Sequence, residues 1–397
     1  MRLRLATRLQ AAPPVVVVLV LYALSRLVSS AWLGGLFSLA TSQGWAFASY
    51  RADPSFASFS GSWDASYYRT IAQQGYPTEL PVDDDGHVLP NPWAFLPVFP
   101  GLVRGVASVL GVELAGNAFF AIGLVVAVVA GGGAAVLLHR VVLETVGPQS
   151  ALWAVALFCF GPLSFVLQVA YAESLMLLLT FAALLALVRR QYLLMVPFGV
   201  VAAFTRPGVL ALALALAVTA VVRLRREGRG FRRRERVSVV VAGLLISAAG
   251  LAWPVIADHV TGRSGAYLDT ELSWWVGFVG RQHFAPLTPW FVMAGTFLGV
   301  AGIVLVGVVL GVVAWAFTRR STQAMGVEVV SYAASYLLYL VAVFLPQQSL
   351  PRLLLPVAPL LGHPVVVAAP RLRWVLLGVG VVLQPVAVVL LWFVGYP

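Results

Sequence analysis

The chain contains no lysine; all 26 of its basic residues are arginine. The two cations differ in function only at particular sites, so this bias reads as a property of the coding sequence more than a chemical signal. Cysteine is nearly absent as well, and the single Cys159 excludes an internal disulfide. With only five histidines beside it, soft ligands are too few for a metal cage, and neither a metal nor any other cofactor is expected. Charge is scarce, at 10% of residues against 60% hydrophobic, with a mean hydropathy of +0.92. Soluble domains carry about a quarter charged residues. A chain of 397 residues could not hide this much apolar surface from water, which points to an all-α polytopic membrane protein. No Gly-rich phosphate loop, HExxH or Gly-x-Ser-x-Gly pattern is present. The net charge of +11 would suit nucleic acid, but the arginines sit in short loops between apolar runs, so no nucleic-acid partner is expected.

What is present is a succession of apolar runs at the length of membrane spans, about 20 residues each. They cover 12–34, 94–112, 116–138, 150–168, 171–188, 191–205, 207–222, 237–257, 289–317, 325–345, 352–370 and 374–395, for a total of about 11–13 membrane segments. The basic start, MRLRLATR, precedes a run too long for a signal-peptide core, so it reads as a retained first helix. Arg2, Arg4 and Arg8, Arg189 and Arg190, the loop RLRREGRGFRRRER (223–236), Arg319 and Arg320, and Arg371 and Arg373 mark the cytoplasmic side. The opposite side then receives a first loop, 35–93, and a later one, 258–288, within one domain spanning 1–397. A parity conflict remains: loop 35–93 lies outside, His139-Arg140 lies inside, and two full spans cannot join them. One segment between Pro92 and Tyr171 must be broken, re-entrant or interfacial, with Gly131-Gly132-Gly133 and Gly161-Pro162 as candidate break points.

Chemistry concentrates on the side away from the arginine loops. In GSWDASYYRTIAQQGYP (61–77), Ser62 reads as a helix N-cap with Trp63 and Asp64 in the first turn. Trp63 and Tyr67 share a face, and Tyr68 follows Asp64 by one turn. An interfacial helix would explain the aromatics and the acid equally well. GPLSFVLQVAYAESLMLLL (161–179) places Glu173 at or inside the bilayer, where an unpaired carboxylate is costly. Arg206 in AAFTRPGVLAL and Arg352 in LPQQSLPRLLLPVAPL lie on the outer side against the charge trend. They are either phosphate ligands or snorkelling side chains. Asp83-Asp84-Asp85 reads as a solvated turn, and His259 and His283 as exposed polar residues.

Taken together, WDASYYRTIAQQGYP, AFLPVFPGLVR, AYAESLMLLL, FTRPG, TGRSGAYLDTELSWW and QSLPRLLLPVAP resemble, in order, the motifs of the PIG-V-like mannosyltransferases. These belong to the GT-C class of polytopic glycosyltransferases. The aromatic pair of the proline motif reads Leu96 and Phe99 here, and the arginine motif reads Arg206-Pro207-Gly208. The arginine bias and short loops fit a bacterial member. The resemblance implies a GT-C type transmembrane helix bundle with interfacial helices in the first outer loop. It also implies a polyprenyl-phosphate sugar donor, a lipid or glycan acceptor and Asp64 as catalytic base. Trp63, Tyr67, Tyr68, Glu173, Arg206, Trp274 and Arg352 are the expected substrate-binding residues. The expected reaction is inverting transfer of a hexose, mannose by resemblance, on the extracytoplasmic side of the plasma membrane. A transporter or flippase of lipid-linked sugars is the alternative. It would need a polar path between both faces, whereas ten of the fifteen acids fall in outer loops.

Overall fold

The computed structural model describes residues 13–45 and 55–394; Arg2, Arg4, Arg8 and Asp53 lie outside them. Among the described residues the protein is helical, and the one β-type contact is an isolated bridge between Val82 and Val88. In chain order the principal helices are α1 (Pro14–Ser42), α2 (Asp64–Gln74), α3 (Val98–Leu110), α4 (Ala118–Thr145), α5 (Pro148–Phe160), α6 (Glu173–Val188) and α7 (Tyr192–Ala203). They continue with α8 (Leu210–Glu227), α9 (Arg233–Thr261), α10 (Ala266–Ser273), α11 (Pro289–Thr318), α12 (Val327–Val343) and α13 (Pro370–Val388). Five of these stretches are long and apolar enough to cross a membrane: α1, α4, α9, α11 and 370–394. Proline opens α1, α5, α11 and α13, where its missing N–H leaves no intrahelical bond unmade. α11 turns Phe297, Val300, Val304 and Trp315 outward, a face fit for lipid.

The bundle has two chemically distinct ends. At one, the arginines pair with acids: Arg189 with Glu144 at 2.5 Å, Arg190 with Glu227 at 3.2 Å, and Arg223 with Glu227 at 2.7 Å. The candidate site residues gather at the other. α3 belongs wholly to this second end. The Val98 N–H at its start donates to the Phe204 carbonyl, 3.0 Å away, at the end of α7. Just beyond its C-terminus, the Gln73 side chain reaches the Leu114 carbonyl. The expected span 94–112 is therefore a helix lying along one end of the bundle and not a span. Its strong amphipathicity, with Phe99, Val103 and Ala107 buried, is the physical reason.

Two further expectations are corrected. α4 runs unbroken through Gly131–Gly133, where the glycines make room for a neighbour. A Cβ on Gly131 would stand 2.4 Å from the Tyr22 hydroxyl, which donates to the Val128 carbonyl at 2.8 Å. The break falls at Gly161-Pro162, and a 3-10 turn over Ser164–Gln168 replaces the continuous span 150–168. Buried Arg26 of α1 holds this turn, donating to the carbonyls of Ser164 at 2.6 Å and Cys159 at 3.2 Å and to the Gln168 side chain at 3.2 Å. Gln384 of α13 donates to the Phe160 carbonyl at 3.3 Å and accepts from Ser29 at 3.0 Å. The second correction concerns 352–370, which is not one helix. With Pro351, Pro356, Pro359 and Pro364 it divides into short pieces, Leu350–Leu353, a 3-10 segment Leu355–Gly362, and Pro364–Ala368.

Candidate functional site

Asp64 is the first residue of α2 and is presented by a constrained turn. Trp63 takes the left-handed backbone, φ 56°, uncommon for a residue with a side chain. Ser62 does not cap the helix as expected. Its hydroxyl donates backwards to the Phe59 carbonyl at 2.7 Å, and its own carbonyl accepts from the Tyr171 hydroxyl at 2.9 Å. The chain is held down at Ser62 from the turn between α5 and α6, so Trp63 must bend sharply to start the helix. Arg206 follows the end of α7, and Pro207-Gly208 turns the chain away from it. Gly208 has φ 122°, and a Cβ there would meet Tyr336 at 3.1 Å. Arg352 comes from the short helix Leu350–Leu353.

These separate pieces converge. The Arg352 guanidinium donates through Nη1 to Asp64 Oδ2 at 2.6 Å and to Glu173 Oε1 at 2.8 Å. Arg206 Nη1 makes a charge contact with the same Glu173 oxygen at 2.6 Å. Two acids and two bases thus form one neutral chain, Asp64–Arg352–Glu173–Arg206, as buried charges in an apolar bundle must. Exposure differs along it. The Glu173 and Arg352 side chains are 5% and 6% exposed, while Asp64 and Arg206 reach 15%. Asp64 is therefore the acid with access to an incoming group. Arg352 also lies 5.3 Å over the Tyr171 ring. Glu173 Oε2 is buried with no hydrogen-bond partner among the described residues. Beneath the charges is a cavity of about 10 Å³, room for one water, lined by Glu173, Met176, Arg206, Tyr336, Arg352 and Pro356.

An aromatic rim flanks Asp64. Tyr67, one turn along α2, stacks on Phe95 with centroids 4.7 Å apart and meets Trp274 edge-on at 5.5 Å. Trp63 keeps partial solvent contact, whereas Tyr68 is buried below the rim against Phe95 and Phe99. Glu271 of α10 completes the wall. Burial among these rings pushes its carboxyl up to about 7, against a hydrogen bond from the Tyr267 hydroxyl and the Arg206 charge, which pull it down. The structure thus gathers all the expected site residues into one region, with Tyr68 in a supporting position. Sequence reasoning gave no role to Tyr171, Tyr267 or Glu271. The signal available was their place inside the quoted motifs AYAESLMLLL and TGRSGAYLDTELSWW. Asp83 lies apart, taking the Asp85 and His87 amides and pairing with Arg281; the His87 amide is the main cause holding its carboxyl low. One ligand atom each of Asp83, Asp85 and His87 lies within 4.8 Å of the others. Asp258 caps α10 through the amides of Gly265 and Ala266, and Arg263 pairs with Asp269 at 2.9 Å.

An apolar helix bundle that holds, among the described residues, a buried network of two acids and two arginines at one end defines an integral-membrane protein with a polar site at that end. The profile of the family described as Mannosyltransferase (PIG-V) matches residues 15–257, more than half of the chain, and the protein belongs to that family. It is a multi-pass membrane glycosyltransferase that transfers mannose. No match is found among curated proteins. The matched residues include Asp64, Glu173 and Arg206; Trp274 and Arg352 lie beyond them and are tied to the site by geometry.

Proposed function

We propose that the protein transfers mannose, with inversion, from a polyprenyl-phosphate mannose to a lipid or glycan hydroxyl at the extracytoplasmic face of the plasma membrane. The observation that carries this reading is the single guanidinium of Arg352 held between Asp64 and Glu173, with Arg206 on the same Glu173 oxygen. A base and two phosphate ligands are what such a transfer needs. Asp64 takes the proton of the acceptor hydroxyl as its oxygen forms a bond to the anomeric carbon. The bond from that carbon to the phosphate oxygen breaks, and polyprenyl phosphate leaves with the electron pair. Arg352 and Arg206 receive the developing charge on the phosphate, and Glu173 keeps both guanidiniums aimed. Direct displacement with one base inverts the anomeric centre. The arginine-rich end opposite the site supports an extracytoplasmic placement by the positive-inside trend.

The test uses the purified protein in nanodiscs with labelled polyprenyl phosphate mannose and a membrane-lipid extract as acceptor source. Labelled product with the opposite anomeric configuration is expected, and none when labelled nucleotide-mannose is supplied instead. Transfer from the nucleotide sugar alone, or retention of configuration, overturns the reading.

A further inference from the structure

Around the starts of α7 and α9, at the end of the bundle away from Asp64, cations outnumber the acids that could hold them. Arg189, Arg190 and the eight arginines of 223–236 meet three acids, Glu144, Glu227 and Glu235. Each acid is already engaged: Glu144 with Arg189, Glu227 with Arg190 and Arg223, and Glu235 with Arg223 at 3.4 Å. A groove of about 280 Å³ opens here between the two helices. Arg190, Leu193 and Leu194 line one wall, and Arg234 and Ser238 line the other beside the engaged Glu235. Arg190 gives Nη2 to Glu227 at 3.2 Å, and the rest of its planar fork has no partner among the described residues. Arg234 is exposed, and its guanidinium makes no hydrogen bond or ion pair with a described residue.

Away from this basic mouth the walls turn apolar. On α9, Arg234, Ser238, Val241 and Leu245 follow one stripe, and on α7 Leu194, Pro197 and Val201 do the same. Val241, Leu245, Leu194, Pro197 and Val201 are all exposed. Behind them the helices close up at Gly199, where a Cβ would stand 2.8 Å from Ile246 Cγ1, so the stripes face outward. From Arg234 to Leu245 the stripe covers 11 residues (245 − 234), about 16 Å at the helical rise of about 1.5 Å. That is about the depth of one leaflet, half of a hydrocarbon core roughly 30 Å thick. α9 is long and apolar enough to cross a membrane, and Arg234 lies in its first turn, at headgroup depth. We propose that the groove binds an anionic phospholipid of the leaflet on the arginine-rich side. Its phosphate sits between Arg190 and Arg234, and an acyl chain follows the two stripes. A soluble phosphate would answer the arginines and leave the stripes unused. A zwitterionic headgroup would bring a cation into an excess of arginine. The Ser238 hydroxyl donates to the Arg234 carbonyl at 3.0 Å, so its oxygen remains to accept from a headgroup hydroxyl.

The experiment titrates the purified full chain in detergent with dioleoyl phosphatidylglycerol, dioleoyl phosphatidylcholine and glycerol phosphate. Bound lipid is read by native mass spectrometry, with the unfolding midpoint measured beside it. One phosphatidylglycerol is expected to be held about tenfold more tightly than phosphatidylcholine and to raise the midpoint. Glycerol phosphate at the lipid's concentration should displace none of it. Arg190→Gln combined with Arg234→Gln should weaken phosphatidylglycerol binding about 30-fold, at about fivefold for each arginine near the membrane surface. Arg225→Gln combined with Arg229→Gln removes the same charge from the same end outside the groove, and should change the affinity by less than about threefold. Equal weakening in both pairs reveals diffuse attraction and overturns the site. Equal affinity for the two lipids, or displacement by glycerol phosphate, overturns it as well. Arg190→Gln takes a partner from Glu227, so Arg234→Gln is also measured alone. It breaks no contact among the described residues and should weaken binding about fivefold; an unchanged affinity there overturns the proposal.

Discussion

Arg26 and Arg352 are both buried guanidiniums in an apolar bundle, and they are satisfied in opposite ways. Arg352 faces two carboxylates. Arg26 has no acid partner among the described residues; it meets the Cys159 carbonyl at the end of α5, the Ser164 carbonyl and Gln168 side chain of the 3-10 turn that follows, and Ser25 of its own helix. Carbonyls at a helix C-terminus carry the negative end of the helix dipole, so they suit a fixed cation. They cannot be exchanged without unmaking the turn they belong to. A carboxylate paired with arginine can give way to another anion of similar geometry, such as a phosphate. The first arrangement builds a structure and the second builds a site. The bend that Arg26 secures is the one that delivers Tyr171 and Glu173 to Arg352.

Removing the base should separate the two most sharply. Asp64→Asn keeps the side-chain shape and should lower kcat by about 10²–10⁴-fold, with a lower thermal unfolding midpoint because Arg352 loses one of its two counter-charges; a folded variant with wild-type turnover would falsify the catalytic assignment. Arg352→Lys retains a charge for Glu173 but loses the planar fork. It should raise the donor KM by about 10–100-fold, from the loss of charged hydrogen bonds. Arg26→Met should act in the reverse sense. Lost carbonyl contacts, offset in part by no longer burying a cation, should lower stability by about 1–2 kcal/mol while both KM values stay within about threefold. A selective loss of donor affinity there would erase the distinction between the two arginines.

The smallest effect concerns Glu271, whose folded carboxyl is pushed up to about 7 from an ordinary 4.5. The unfolded chain releases this proton first, so between those values the native state binds more protons and loses stability as pH rises. Above about 7 the penalty is constant. Glu271→Gln lacks the titration, with Arg206, Tyr267 and Asp64 left facing an amide. Its unfolding midpoint should gain on wild type from pH 5 to pH 8. A difference that stays flat over this range rules out titration of Glu271 there.

Sequence made the bundle and the charged residues of the candidate site legible, because an acid or arginine in an apolar context stands out against its cost. It could not show that Asp64, Glu173 and Arg352 share one guanidinium, since the partners are separated by 179 and 288 positions. α3 was misjudged because hydropathy alone does not separate a lateral amphipathic helix from a short span; its one-sided burial does. Ser62 has the right residue type for a cap, but tertiary contact with Tyr171 overrode the local preference. Arg26 was readable as an ion inside the first apolar run, yet nothing local names the Cys159 and Ser164 carbonyls as its partners.

The order in which the network's members enter the chain bears on biosynthesis. Glu173 is made 33 residues before Arg206 (206 − 173) and 179 residues before Arg352. At roughly 5–20 residues per second, the wait for Arg352 is on the order of 10–40 s, while Arg206 follows within seconds. Arg206 is thus the early counter-ion that lets a buried carboxylate be inserted before the site is complete, and Arg352 is the late one that joins it to Asp64.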